Sequence, residues 1–226
     1  MDITLYGISV WILPLLIAIT FHEAAHAFVA YKLGDDTAFQ LGRVSFNPIK
    51  HIDPFGTVIL PGVLLLSHSP FLFGYAKPVP VNFGKLNHPR LDMVWVALAG
   101  PAINIVLATA AAFAFHALPV VPPDAAKWTA DNLKNAFLIN IVLAVFNMMP
   151  IPPLDGGRVA VGLLPRVLAY PLSRMEPYGM LILLGLLILL PVIGAQVGLN
   201  LDVISSILRA LTGYVISALL FITGNA

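Results

Sequence analysis

The run from Ile3 to Leu33 is long and apolar enough to cross a membrane, yet it carries His22, Glu23 and His26 in the order H-E-x-x-H. Hydrocarbon leaves the backbone no partner but itself, so the run is expected to be a helix. Residues four apart on a helix share one face, and both imidazoles can then reach a single metal ion with Glu23 beside them. Placing three such groups at membrane depth is expensive and marks a functional site. Neutral imidazole suits zinc, and a zinc ion with three protein ligands and one open position lowers the pKa of bound water to about 7. Glu23 is placed to take that proton and later deliver it to a leaving nitrogen.

Further apolar stretches recur at Leu91 to Leu118, Trp128 to Met149, Tyr178 to Ile193 and Leu201 to Ile222. With 59% hydrophobic and 10% charged residues, this pattern excludes an ordinary soluble globule. The expected fold is an all-α polytopic membrane protein of five or six transmembrane helices, with a re-entrant or short-strand element after the first. Pro54 to Ser67 is too short to cross comfortably, and a break at Pro61-Gly62 would let Pro54 to Tyr75 enter and leave on one face. Asp35 to Asp53 alternates in Ala38-Phe39-Gln40-Leu41 and Val44-Ser45-Phe46, which suits short strands or a hairpin at the membrane surface. Such an edge could pair with an extended substrate; an ordinary loop fits the pattern equally well. Tyr75 to Asn82 reads as an extended interfacial segment, with Lys77 and Lys85 at lipid headgroups.

No Lys or Arg precedes the first run, so it does not read as a cleavable signal. A net charge of +1 gives no case for nucleic acid, and the absence of cysteine removes thiolate ligands and disulfides. If Leu33 emerges in the cytoplasm, nine of the twelve basic residues face that side, as the positive-inside rule requires. The eleven residues from His22 to Leu33, at about 1.5 Å each, then put the site on the order of 15 Å below the rim, open to cytoplasmic water.

A third ligand has to come from elsewhere in the chain. Met148 to Gly157 reads M-M-P-I-P-P-L-D-G-G, where three prolines stop a helix and the extended backbone that follows must line a wet cavity or pack on protein. Asp155 is a carboxylate delivered there by stiff chain, and Glu176, the only other glutamate besides Glu23, reads as a loop residue. His51 and Asp53 beside Pro54 read as a turn-forming pair outside the metal site, and His68 and His88 as solvated side chains. In Gly100-Pro101-Ala102-Ile103-Asn104, the buried amide either glues helices or holds substrate near the metal. Asn140 and Asn147, seven apart, lie on one helix face.

These three motifs stand in the order and context of site-2 proteases, the intramembrane zinc metalloproteases, which the chain resembles over roughly residues 8 to 175. The last stretch resembles the family pattern N-x-x-P-x-P-x-x-D-G at each fixed position from Asn147 to Gly156. The resemblance implies that His22, His26 and Asp155 bind one Zn²⁺, that Glu23 is general base and acid, and that Asn104 and Asn147 help hold substrate or cleft. It implies a single domain of the short bacterial type without PDZ or CBS modules, closed by C-terminal helices at 178–222. The expected substrate is a transmembrane protein or peptide within the lipid bilayer of the cell membrane, cut after local unwinding. Two other classes would use similar residues: a divalent-metal transporter, which needs a polar route through both leaflets, and an inactive relative that only binds membrane helices.

Overall fold

The computed structural model describes residues 5–59, 63, 77–199 and 201–225. The first apolar run forms helix α1, Leu5–Lys32, which continues through Pro14 and ends at Gly34 with the positive φ of a helix C-cap. A single turn, α2, Thr37–Gln40, follows. The next long helices are α3, Pro89–Ala114, and α4, Pro123–Asn147, each with proline at its start, where the missing N–H costs nothing. Beyond the proline-rich break come α5, Asp155–Leu163, α6, Arg166–Arg174, α7, Gly179–Leu184, and α8, Leu190–Gln196. The last helix is α9, Val203–Thr223. Among the described residues there is no strand.

Among the described residues, four helical stretches are long and apolar enough to cross a membrane: Leu5–Lys32, Pro89–Val120, Arg166–Gln196 and Val203–Thr223. The expected span at Trp128 to Met149 forms most of the 25-residue α4, which is less apolar because it buries amides. Asn135 donates to Val10 O at 2.9 Å, Asn132 bonds within its own helix, and Asn140 meets Asn104 of α3. Helices α1, α3 and α4 pack on one another as the centre of the bundle. Its apolar core gathers Ala108, Ala111 and Ala112 of α3 with Phe137, Ile141 and Val145 of α4 and Leu219 of α9. The alanines let the helix axes come close without an inserted side chain.

The short strands expected within Asp35 to Asp53 are replaced by α2 and a 3₁₀ turn at Pro48–Lys50. The reason is local polar chemistry that outweighs alternation. Asp35 is fully buried, and its carboxylate accepts from Thr37 N at 3.0 Å, Thr37 Oγ1 at 2.5 Å and the distant Asn82 N at 2.6 Å. Asn47 in turn accepts from Ile49 N at 3.0 Å, which fixes the second turn. Lys85, expected among headgroups, pairs with Asp36 at 2.8 Å; the shared hydrogen bond lowers the Asp36 pKa and raises that of Lys85. The expected re-entrant element at Pro54 to Tyr75 lies largely outside the described residues, as does His68. Its first turn, Pro54–Ile59, is a π-helix started by Asp53, which accepts from Phe55 N and Gly56 N, in keeping with a turn-forming role.

Candidate metal centre

One helical turn of α1 presents His22 and His26, both buried, and the proline-broken segment between α4 and α5 brings Asp155 to them from far along the chain. The two Nε2 atoms are 3.0 Å apart, and Asp155 Oδ2 lies 3.2 Å from His22 Nε2 and 3.3 Å from His26 Nε2. The three form a group able to hold a metal ion. Glu23 sits beside them, half-buried, with Oε2 accepting from the backbone N–H of Val79 at 2.8 Å.

The protons of the two imidazoles can be placed from their neighbours. His26 Nδ1 lies 2.7 Å from Val96 O, a carbonyl that only accepts, so Nδ1 carries the hydrogen. His22 Nδ1 lies 2.6 Å from Asn104 Oδ1. The Asn104 amide is oriented by donating from Nδ2 to Ala18 O at 3.2 Å and Asn140 Oδ1 at 2.7 Å, which leaves its oxygen for His22. With the hydrogen on Nδ1, each imidazole in its neutral, metal-binding form turns an Nε2 lone pair toward the same point. There they meet Asp155 Oδ2, itself buried and without a hydrogen-bond donor.

Three converging acceptors repel one another unless a cation lies between them. A shared proton joins only two of the three, whereas a metal ion with tetrahedral preference satisfies all. Zinc–ligand bonds of 2.0–2.1 Å imply tetrahedral edges of about 3.4 Å, close to the 3.0 to 3.3 Å separations found here. The donor set, two imidazoles and a carboxylate, is also of the kind zinc takes when one position stays open. The residues present fit zinc.

Neighbouring backbone shapes the site as much as the ligands do. Gly100 is where α3 passes over the imidazoles: a Cβ there would lie 2.5 Å from His22 Cε1 and 2.6 Å from His22 Nε2, and would also strike His26 Nε2. Pro101 opens the α3 ladder at the same turn by withholding a donor from Ala97 O. Gly156, next to Asp155, lets α5 begin against the end of α4; a Cβ there would lie 2.5 Å from Met149 O and collide with Met148 O.

For Asn104 the sequence left two roles open, joining helices and holding substrate. It is fully buried, with its oxygen on His22 and its NH₂ on Ala18 and Asn140. Its contacts are those of a group that holds a ligand histidine in one tautomer and one orientation. Asn140, which sequence reasoning placed only on a shared face with Asn147, continues this chain by donating to Ala136 O at 2.8 Å. Outer partners of this kind are worth about 10- to 100-fold in metal affinity. Asn104→Ala is accordingly expected to weaken zinc binding by about that factor, measured by competition with a chromogenic chelator, while helix content stays unchanged. Asn147 is half-buried at the end of α4, and its Nδ2 donates to Leu143 O at 3.0 Å. His51, left out of the site on sequence grounds, is buried and donates from Nε2 to Ser45 O at 2.7 Å.

Comparison with known proteins agrees with this chemistry. Residues 118–190 match the family model "Peptidase family M50". The chain is 39% identical over 181 residues to "Putative zinc metalloprotease YwhC" of Bacillus subtilis, covering 78% of this chain and 79% of that relative. It is 30% identical over 176 residues to the similarly described Rip2 of Mycolicibacterium smegmatis, covering 76% of this chain and 64% of the relative. To MJ0611 of Methanocaldococcus jannaschii, again so described, it is 32% identical over 163 residues, with 68% and 72% covered. No solved structure matches the chain.

Proposed function

Because this chain belongs to peptidase family M50, the site-2 proteases, and is a zinc metalloprotease built into a membrane protein, we propose that it is an endopeptidase cutting transmembrane segments of other membrane proteins. The observation that carries this reading is the convergence of two Nε2 atoms of α1, a helix long and apolar enough to cross a membrane, with the buried carboxylate oxygen of Asp155. His22, His26 and Asp155 hold the zinc, and when bound it supplies the Lewis acidity that acidifies water and polarises a peptide carbonyl. Glu23 takes the proton of the attacking water and returns it to the leaving amide nitrogen. Asn104 and Val96 O keep both imidazoles facing inward during this exchange.

A helical substrate amide has its carbonyl hydrogen-bonded and shielded, so the substrate has to be extended locally before it can reach Glu23. Asn147, beside the proline break, is the residue that supports an extended substrate backbone: its NH₂ is anchored on Leu143 O, and among the described residues no donor reaches its oxygen. The distribution of basic residues supports a cell-membrane location with the site open to the cytoplasm. The test is co-expression with tagged single-span reporters that differ only in whether the apolar segment carries an Asn-Pro helix breaker. Both fragments are expected from the breaker-bearing reporter, and a zinc chelator is expected to stop the cut in purified enzyme. Equal cleavage of a soluble tagged protein, or indifference to the chelator, would contradict the reading.

A further inference from the structure

Glu23 is held by a main-chain donor, the backbone N–H of Val79, and by no side chain of its segment. Residues 77–82 read Lys-Pro-Val-Pro-Val-Asn and contain neither helix nor turn. Proline has no N–H, so in Pro78-Val79-Pro80 the sole backbone donor is that of Val79, and it goes to Glu23 Oε2 at 2.8 Å. The two prolines also stiffen the segment, since each fixes its own φ and biases the residue before it toward extended backbone.

The strap is pinned on both sides of that donor. Lys77 N donates to His51 O at 3.0 Å, and the buried Arg43 donates to Lys77 O at 2.7 Å. Further along, Asn82 N donates to the buried Asp35 at 2.6 Å. Between these anchors the Val79 side chain is buried against Ala27 of α1 and Ala38 of α2. Ala27 is four residues beyond Glu23, so the side chain seats on the same face of α1 whose carboxylate the N–H engages. Among the described residues, no hydrogen bond reaches Glu23 Oε1.

We propose that Val79 is a positioning residue for the peptidase reaction: its backbone N–H fixes one oxygen of the Glu23 carboxylate, leaving the other to exchange the proton. This rests on the assignment of Glu23 as general base. A glutamate carboxylate, carried on its side chain's rotatable bonds, samples several orientations, and misplacing a reacting group by about 1 Å can cost on the order of 10²-fold in rate. The role belongs to the main chain, so the informative comparison is between substitutions that keep the N–H and those that remove it.

The experiment uses the full chain in lipid nanodiscs with the Asn-Pro reporter, comparing wild type, Val79→Pro and Val79→Ala. Both variants lose the isopropyl group, and only the first loses the donor. Val79→Pro is expected to show kcat about 10- to 100-fold below Val79→Ala, with KM within about threefold and zinc content equal. A second readout is the infrared carboxylate stretch that disappears in Glu23→Gln, expected to move in Val79→Pro and stay in place in Val79→Ala. Equal kcat and an unmoved band in the two variants would overturn the proposal, as would a loss explained wholly by missing zinc. If Val79→Pro does not fold, the ester made by incorporating the α-hydroxy analogue of valine at 79 removes the N–H while keeping the side chain, and the same readouts decide. A wild-type chain inert toward the reporter counts against the protease reading, and the infrared comparison then decides the strap alone.

Discussion

Replacing Glu23 by Gln is expected to abolish cleavage while zinc stays bound at one per chain, and His22→Ala is expected to lose both. The contrast follows from the geometry. Glu23 is not among the three converging acceptors, and Gln keeps an oxygen able to accept from Val79 N–H, so fold and metal are preserved. What Gln lacks is basicity, and a positioned general base contributes about 10²- to 10⁴-fold. Removing His22 instead takes away one of three ligand atoms and strands the buried Asn104 oxygen that it satisfies. Reporter cleavage and zinc measured by mass spectrometry on the same preparations check both. Full activity in Glu23→Gln would remove the assigned mechanism, and stoichiometric zinc in His22→Ala would remove the ligand assignment.

The second large effect comes from a residue with no side chain. Gly100→Ala is expected to reduce zinc occupancy to less than about a tenth of wild type, because the new methyl would sit within 2.6 Å of His22 Nε2, where the lone pair has to reach the metal. Neither neighbour yields easily: Asn104 holds His22, and the Val96 carbonyl, four residues before Gly100 on the same helix, holds His26. Overpacking a rigid site of this kind forces side chains off their rotamers at a cost of about 1–3 kcal/mol. The loss is therefore expected in metal binding and activity, with the helical bundle intact by circular dichroism. Zinc retained at wild-type level would mean that α3 can move away from α1 at this turn.

Sequence and structure agree where chemistry is local or carried by side chains of strict spacing. His22 and His26 share a face because a helix was the only backbone hydrocarbon allows, and Asp155 was legible because three prolines left its segment nowhere to go except against protein. Agreement fails where a single long-range polar contact decides. The alternation of residues 38 to 41 suggested strand, but the buried carboxylate of Asp35 gathers Thr37 and Asn82 into one knot and winds the intervening chain into a turn. Asn104 could be placed in an apolar helix from its neighbours in sequence, yet its partners His22 and Asn140 lie 82 and 36 residues away, and only the fold brings them to its amide. Val79 left no side-chain signal; the trace available was the pair of flanking prolines, which silence every donor but one.

These results fit a single account in which the opening helix supplies two ligands and a base, α3 presses close enough to orient them, and the break after α4 completes the set. The claim on which it depends is that one zinc ion is shared by His22, His26 and Asp155. X-ray absorption at the zinc edge on the purified chain, compared with Asp155→Ala, tests it most directly. The account predicts one zinc per chain, the multiple-scattering signature of two imidazoles at about 2.0–2.1 Å with additional oxygen at about 2.0–2.2 Å, and loss of stoichiometric binding in the variant. A zinc site whose spectrum and occupancy are the same with and without the carboxylate of residue 155 would contradict it.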